Sequence, residues 1–90
     1  MKKLPVSCPS CASALQVSSL SCTSCDTVIQ GSYSLPMLLQ LPQEEQDFIL
    51  EFVLSGGSLK AMAKKLDRSY PTVRNLLDDI IENLKQLRNE

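Results

Sequence analysis

All four cysteines of this 90-residue chain lie in two Cys-x-x-Cys pairs. The first pair is Cys8 and Cys11, the second is Cys22 and Cys25, and ten residues separate the two pairs. A Cys-x-x-Cys turn places two thiols on one side of a tight backbone turn, so two such turns supply the four sulfurs that tetrahedral Zn²⁺ prefers. The spacing therefore predicts a zinc ribbon in which all four cysteines bind one zinc ion.

The predicted zinc ion has a structural role. Four sulfur ligands leave no open coordination position, and the chain has no histidine to act as a further ligand or a general base. Zinc binding to such peptides contributes about 10 to 16 kcal/mol at neutral pH, which can fold a short segment with little apolar mass. Two disulfides, a redox-active Cys-x-x-Cys and a metal or redox sensor are the alternatives; polar neighbours and the lack of a signal peptide favour structural zinc.

Composition divides the chain into two parts. Residues 1–34 hold every cysteine and few large apolar side chains, whereas the remainder is rich in Leu, Ile, Val, Glu and Lys. We predict a zinc ribbon over 1–34, a connector over 35–42 and a helical domain over 43–90. The net charge of −1 gives no overall basic field of the kind that many nucleic-acid-binding proteins carry. No apolar run approaches the length of a membrane span, so we expect a soluble, cytoplasmic protein without membrane contact.

Two segments of the ribbon are predicted to be strands. Residues 14–17 alternate between apolar and polar side chains, and residues 27–33 are rich in β-prone side chains. The position after each cysteine pair often requires a positive φ. In this chain Ala12 follows the first pair and Asp26 follows the second. Asp tolerates this conformation, but Ala loses about 1 to 2 kcal/mol in it.

The second part of the chain predicts three helices. The first covers 43–54: it follows a proline, begins with acidic residues that complement the helix dipole, and ends at two glycines. Ser58 caps a second helix that ends at Leu66, and Ser69 caps a third that runs to Leu87. A short helix, a tight turn and a longer helix form the layout of a helix-turn-helix. The predicted fold class is small α+β, with an N-terminal four-cysteine zinc ribbon followed by a three-helix helix-turn-helix domain with a long last helix.

Basic side chains are concentrated in the predicted helix-turn-helix. Residues 55–76 contain five Lys or Arg against Asp67 alone, a local excess of +4. Those on the second helix and in the turn are expected to neutralise phosphates, and the start of the third helix is expected to reach bases in the major groove of double-stranded DNA. The candidate DNA-binding residues are Lys60, Lys64, Lys65, Arg68, Ser69, Tyr70, Thr72, Arg74 and Asn75. An ordinary solvated helix face is the alternative interpretation.

The third helix is longer than its neighbours can cover, about 27 Å over residues 70–87. Its apolar side chains recur at alternating spacings of four and three, which favours a homodimer through its far end. The predicted dimer-interface residues are Leu77, Ile80, Ile81, Leu84 and Leu87. Packing of the same side chains against the first helix is the alternative.

The paired cysteines and one segment of the third helix together resemble a bacterial family, the domain of unknown function 2089, over nearly the whole chain. That segment reads Ser69-Tyr70-Pro71-Thr72-Val73-Arg74-Asn75-Leu76-Leu77-Asp78-Asp79-Ile80-Ile81. The resemblance implies a zinc ribbon followed by a helix-turn-helix similar to those of sigma-factor region four, and a role in transcription regulation. It assigns metal binding to the four cysteines and DNA recognition to residues 69–75. The family pattern favours Gly where this chain has Ala12 and Asp67.

Two functions follow from these features. The first is a DNA-binding transcription regulator with a structural zinc ribbon. The second is a protein-interaction adaptor that binds polymerase, a sigma factor or another regulatory partner, for example through the ribbon, without DNA contact. No enzyme is expected, because the sequence shows no Gly-rich phosphate loop and no nucleophile paired with a base.

Overall fold

The computed structural model of the chain describes residues 3–89, which form two compact units divided between Gln40 and Leu41. The first unit contains strands β1 (Gln16–Ser21) and β2 (Val28–Ser34) and a single 3₁₀ turn at Met37–Gln40. The second contains helices α1 (Gln43–Leu54), α2 (Leu59–Leu66) and α3 (Tyr70–Leu87). The predicted small α+β fold class and the limits of the three helices are confirmed. Within residues 3–89, no helix is long and apolar enough to cross a membrane.

The first unit is an antiparallel hairpin with almost no core. Leu20 pairs with Ile29 across the two strands, yet about half of each side chain is exposed. Among the described residues of this unit, Leu35 is the buried hydrophobic side chain, at 5% exposure. Burial of apolar surface therefore contributes little to holding the hairpin together, in agreement with the expectation that this part of the chain needs a metal.

The predicted strand at residues 14–17 is corrected by the structure, since β1 begins at Gln16 and ends at Ser21. Pairing with β2 continues to Ser21 opposite Val28, with an irregularity in the register between Val17 and Ser19. Both faces of the hairpin are open to solvent, so serine side chains can occupy strand positions where backbone hydrogen bonds, rather than burial, hold the strand. Side-chain alternation therefore gave a poor guide to the ends of β1.

Helix α1 begins and ends at the residues that the sequence indicates. Pro42 precedes it, with a backbone conformation (φ −53°, ψ 150°) outside the helical region. At the other end, Gly56 adopts a positive φ of 76°, which reverses the chain direction. The Gly57 N–H donates to the Phe52 carbonyl at 2.9 Å and so satisfies one of the last helical carbonyls.

Five buried side chains form the core of the second unit. They are Leu41, Phe48, Met62, Val73 and Ile80. Helix α2 packs against α3 and also contacts α1. The side-chain amide of Asn83 on α3 donates to both carboxylate oxygens of Glu45 on α1, at 2.9 and 2.8 Å. The three helices therefore enclose a core of their own.

This core corrects part of the predicted dimer interface. Ile80 is 3% exposed inside the unit, and Leu77 and Leu84 pack against the same core. Of the predicted interface residues, Ile81 and Leu87 keep more than a third of their surface exposed. The apolar spacing along α3 is thus explained largely by packing within the chain.

Candidate metal centre and helix-turn-helix surface

The first cysteine pair lies at the tip of a narrow hairpin. Ser7 and Ala14 pair as an antiparallel bridge that closes the hairpin below the tip. The Cys8 N–H donates to the Ser13 carbonyl at 2.8 Å, and the Cys8 carbonyl accepts from the Ala12 N–H at 2.8 Å. Ala12 has a φ of 64°, in the left-handed region. The backbone therefore turns back on itself immediately after the second cysteine, as the sequence predicts.

The second cysteine pair forms the turn of the β1–β2 hairpin and repeats the same bonds. The Cys22 N–H donates to the Thr27 carbonyl at 2.8 Å, and the Cys22 carbonyl accepts from the Asp26 N–H at 3.0 Å. Asp26 has a φ of 62°, which confirms the second predicted positive φ. Ser21 and Val28 pair directly below this turn. The duplicated motif in the sequence is thus a duplicated backbone turn in the structure.

Hydrogen bonds in both turns favour the thiolate form of the cysteines. The pKa of Cys11 is lowered by hydrogen bonds from Ser13, first from its side chain and then from its backbone, and by the other thiol of the pair. The pKa of Cys25 is lowered in the same way, most strongly by the Thr27 hydroxyl, which lies 3.0 Å from the sulfur. Because the thiolate is the form that binds zinc, these hydrogen bonds favour metal binding.

Four thiols are a ligand set that suits zinc, and in the structure the two sulfurs of each Cys-x-x-Cys pair lie close together. All four cysteines are free thiols, and within each pair the two thiols are close enough to hydrogen-bond. Among residues 3–89, no group of three or more Cys, Asp or Glu is arranged to hold a metal ion. Four thiolates repel one another unless a cation lies between them, so zinc itself would supply the energy that joins the pairs. The residues that would hold zinc are Cys8, Cys11, Cys22 and Cys25. That all four bind one ion stays a prediction.

The turn of the helix-turn-helix covers residues 67–69. Asp67 ends α2 in the left-handed conformation, with a φ of 54°, and the Arg68 N–H donates to the Ala63 carbonyl at 3.0 Å. Ser69 caps α3, because its hydroxyl accepts from the Thr72 N–H at 3.3 Å and lies 2.8 Å from the Thr72 hydroxyl. Ser69 and Thr72, predicted to contact DNA, are thus also part of the cap that starts α3.

The start of α3 presents a polar face to solvent. Val73 is fully buried in the core and fixes the rotation of the helix. Tyr70, Arg74 and Asn75 are exposed on this part of the helix. Arg74 forms an ion pair with Asp78 one turn later, at 3.2 Å, with both side chains about half exposed. The spacing of four residues could have predicted this pair.

The structure separates the basic residues of α2 and the turn into two groups. Lys60 and Lys64 are exposed on α2. Lys65 instead forms an ion pair with Glu51 on α1, and Arg68 lies at the edge of a groove beside acidic residues. Lys65 and Glu51 are fourteen positions apart, so no helical spacing could have linked them. The predicted phosphate contacts of Lys65 and Arg68 therefore have to compete with neighbouring carboxylates.

Sequence reasoning missed this groove, which we call the acidic groove. It encloses about 470 Å³ in the second unit. Its apolar lining consists of Phe48, Met62, Leu66, Leu76 and Ile80. Its charged lining consists of Glu44, Glu45, Asp47, Glu51, Asp79 and Arg68. The acidic residues of α1 were interpreted only as partners of the helix dipole, because their proximity to α3 depends on how the helices pack.

Two family models match the chain, and they divide it as the structure does. The model described as "Domain of unknown function (DUF2089)-HTH" matches residues 41–87, which contain the three helices. The model described as "DUF2089 zinc ribbon" matches residues 8–38, which contain all four cysteines. Neither a curated protein nor a solved structure shows a match. The resemblance seen in the sequence is therefore confirmed, and the chain belongs to the domain of unknown function 2089 family, with its zinc ribbon and its helix-turn-helix.

Proposed function

We propose that this protein is a DNA-binding transcription regulator that reads the major groove with the start of α3. The observation that carries the proposal is the exposed face formed by Tyr70, Arg74 and Asn75 on a helix-turn-helix whose third helix is anchored by the fully buried Val73. In this motif the N-terminal part of the last helix contacts base edges. The exposed face occupies that part of α3.

The side chains on this face suit base recognition. Arg forms bidentate hydrogen bonds with guanine and Asn with adenine, and each such pair contributes about 1 to 3 kcal/mol of discrimination. Arg74 must first leave Asp78, but an exposed ion pair contributes only about 0 to 1 kcal/mol. The balance favours the base contact. Asp78 and Asp79 would repel phosphates, so contact is confined to the first turn and a half of α3.

Lys60 and Lys64 supply the sequence-independent part of the proposed binding. Both are exposed on α2, the helix that crosses the DNA backbone in a helix-turn-helix. Each lysine that neutralises a phosphate adds about one to the slope of log affinity against log salt concentration. The Lys60→Ala, Lys64→Ala variant should therefore lower affinity for all sequences and reduce this slope by about two.

The proposed role of zinc is to hold the ribbon in one fold. The four cysteines would hold a single ion, which would cross-link the two turns and leave no coordination position for a reactant. The chain's own contribution is the pair of matched turns and the lowered pKa values of Cys11 and Cys25. Removal of zinc with a chelator should unfold the ribbon, because metal-binding free energy is folding free energy in such modules.

The test is a salt-titrated binding assay on genomic DNA fragments with the full, zinc-loaded chain. The Arg74→Ala, Asn75→Ala variant should bind its preferred fragment at least about tenfold more weakly than the wild type. The matched control is Lys85→Ala, Gln86→Ala, which removes one cation and one amide from the same helix about 16 Å further along. It should bind like the wild type. Equal affinity of the wild type and the Arg74→Ala, Asn75→Ala variant would refute the DNA-binding proposal. The protein-interaction adaptor would then be the remaining function.

A homodimer would place two copies of α3 at successive major-groove half-sites, about 34 Å apart. Of the predicted interface residues, Ile81 and Leu87 keep exposed surface for such a contact. Light scattering after gel filtration tests this part of the proposal. If the protein is a monomer at assay concentrations, the dimer proposal is refuted, whereas the proposal that a single copy recognises DNA is not affected.

A further inference from the structure

The acidic groove exposes apolar surface that the core of the second unit does not use. Leu66 on α2 and Leu76 on α3 line it, and they remain 39% and 40% exposed. Phe48, Met62 and Ile80 lie beneath them in the core. The volume of about 470 Å³ lies within the range of about 300 to 1,000 Å³ that is usual for binding sites.

The length of the acidic groove along α1 matches two turns of a helix. Along α1 its lining runs from Glu44 to Glu51, which is about 10 Å or two turns at 1.5 Å per residue. A bound amphipathic helix presents apolar anchors at positions i, i+3 or i+4, and i+7, over the same length. Leu66 and Leu76 would contact these anchors.

The charge around the groove selects the occupant. Five carboxylates line it, against one guanidinium, that of Arg68. Lys65 also pairs with Glu51, which still leaves a net negative rim. Nucleic acids and acidic helices are repelled by such a rim, whereas Lys and Arg beside the apolar anchors of a ligand are attracted.

We propose that the acidic groove docks a basic amphipathic helix of a partner protein. The chain's own helices fit less well. Met62 and Ala63 of the basic helix α2 already face its own core, and the exposed Ile81 of α3 is flanked by Glu82 and preceded by Asp79. Arg68 lines the groove and is also a candidate for phosphate contact, but Tyr70, Arg74 and Asn75 do not line the groove, so the docking proposal does not depend on base recognition by α3.

The probe is a synthetic peptide of about 18 residues of Leu, Lys and Ala whose leucines follow the i, i+3 or i+4, i+7 pattern. A second peptide of the same composition has its leucines distributed around the helix. Binding to the full, zinc-loaded chain is measured by fluorescence anisotropy at low and high salt. The patterned peptide should bind saturably and more weakly as salt rises, whereas the second peptide should not saturate.

Variants of the groove residues test whether the patterned peptide binds in the acidic groove. Leu76→Ala should weaken binding of the patterned peptide by about fivefold or more, and Glu44→Lys with Asp79→Lys should weaken it by a similar factor. The matched control for the first is Leu54→Ala, since Leu54 is an exposed leucine of the same three-helix unit and does not line the groove. The control for the second is Glu82→Lys. Both controls should bind the peptide like the wild type.

Three outcomes would overturn the proposal. One is equal binding of the two peptides, and another is unchanged binding by both groove variants. The third is self-association of the chain that Leu76→Ala abolishes, with no binding of the patterned peptide, which would assign the groove to contacts between copies. Unchanged DNA binding in Arg74→Ala, Asn75→Ala with intact peptide binding would refute the DNA proposal alone.

Discussion

Replacing Ala12 with glycine should tighten zinc binding. Ala12 has a φ of 64° immediately after the first cysteine pair. An L-residue with a Cβ loses about 1 to 2 kcal/mol in the left-handed region, whereas glycine adopts it freely. The bonds of the turn are made by backbone atoms, including the Ala12 N–H that donates to Cys8, so the substitution removes none of them.

The net gain follows from two opposing terms. Glycine relieves about 1 to 2 kcal/mol of strain but makes the unfolded chain more flexible, which costs about 0.4 to 1 kcal/mol. The difference is about 1 kcal/mol in favour of the folded ribbon. Because zinc binding and ribbon folding are coupled, this gain should lower the zinc dissociation constant about fivefold.

Competition with a chromophoric chelator at fixed pH measures this change. The control is Ala14→Gly, the same substitution at a position in the same hairpin that pairs with Ser7 and has no positive φ. There glycine only adds flexibility, and it should weaken zinc binding by about 0.5 to 1 kcal/mol. The argument fails if Ala12→Gly binds zinc no more tightly than the wild type, or if both variants gain equally.

Two further predictions concern the core and the second cysteine pair. Met62 is fully buried, so Met62→Ala should reduce the free energy of unfolding in urea by about 2 to 5 kcal/mol; a loss below about 0.5 kcal/mol would contradict the core packing. The Thr27 hydroxyl is the main cause of the lowered pKa of Cys25, so Thr27→Val should destabilise the thiolate that binds zinc and weaken zinc binding in competition with a chelator at neutral pH. Thr23→Val, in the same turn, is the control, and equal zinc affinities of the two variants would refute this reasoning.

Local signals predicted the helical unit well. The two glycines after α1 and the capping serines before α2 and α3 act over one turn of backbone, and the structure places the helix ends where they indicate. The same holds for the cysteine turns, because a positive φ at Ala12 and Asp26 follows from the spacing of the motif. Asp67 also adopts the left-handed conformation, at the position where the family pattern favours glycine.

Predictions that needed the neighbours of a side chain were less successful. Ile80 was assigned to a dimer interface, but it lies in the core, since the spacing of apolar residues on a helix does not say which surface covers them. The strand at residues 14–17 was misplaced because pairing with β2, rather than burial, decides where β1 ends. Lys65, for which phosphate contact stays a prediction, also pairs with Glu51 on α1, a neighbour that the sequence did not indicate.

The sequence by itself determined the two Cys-x-x-Cys backbone turns and the limits of the three helices, because each depends on residues within a few positions of one another. Only the tertiary structure decided which basic side chains are exposed, which are paired with carboxylates, and that α1, α2 and α3 leave an acidic groove beside Leu66 and Leu76. Contacts of this kind join residues distant in the chain. They depend on the angles and distances at which helices pack, which the spacing of residues along one helix does not encode.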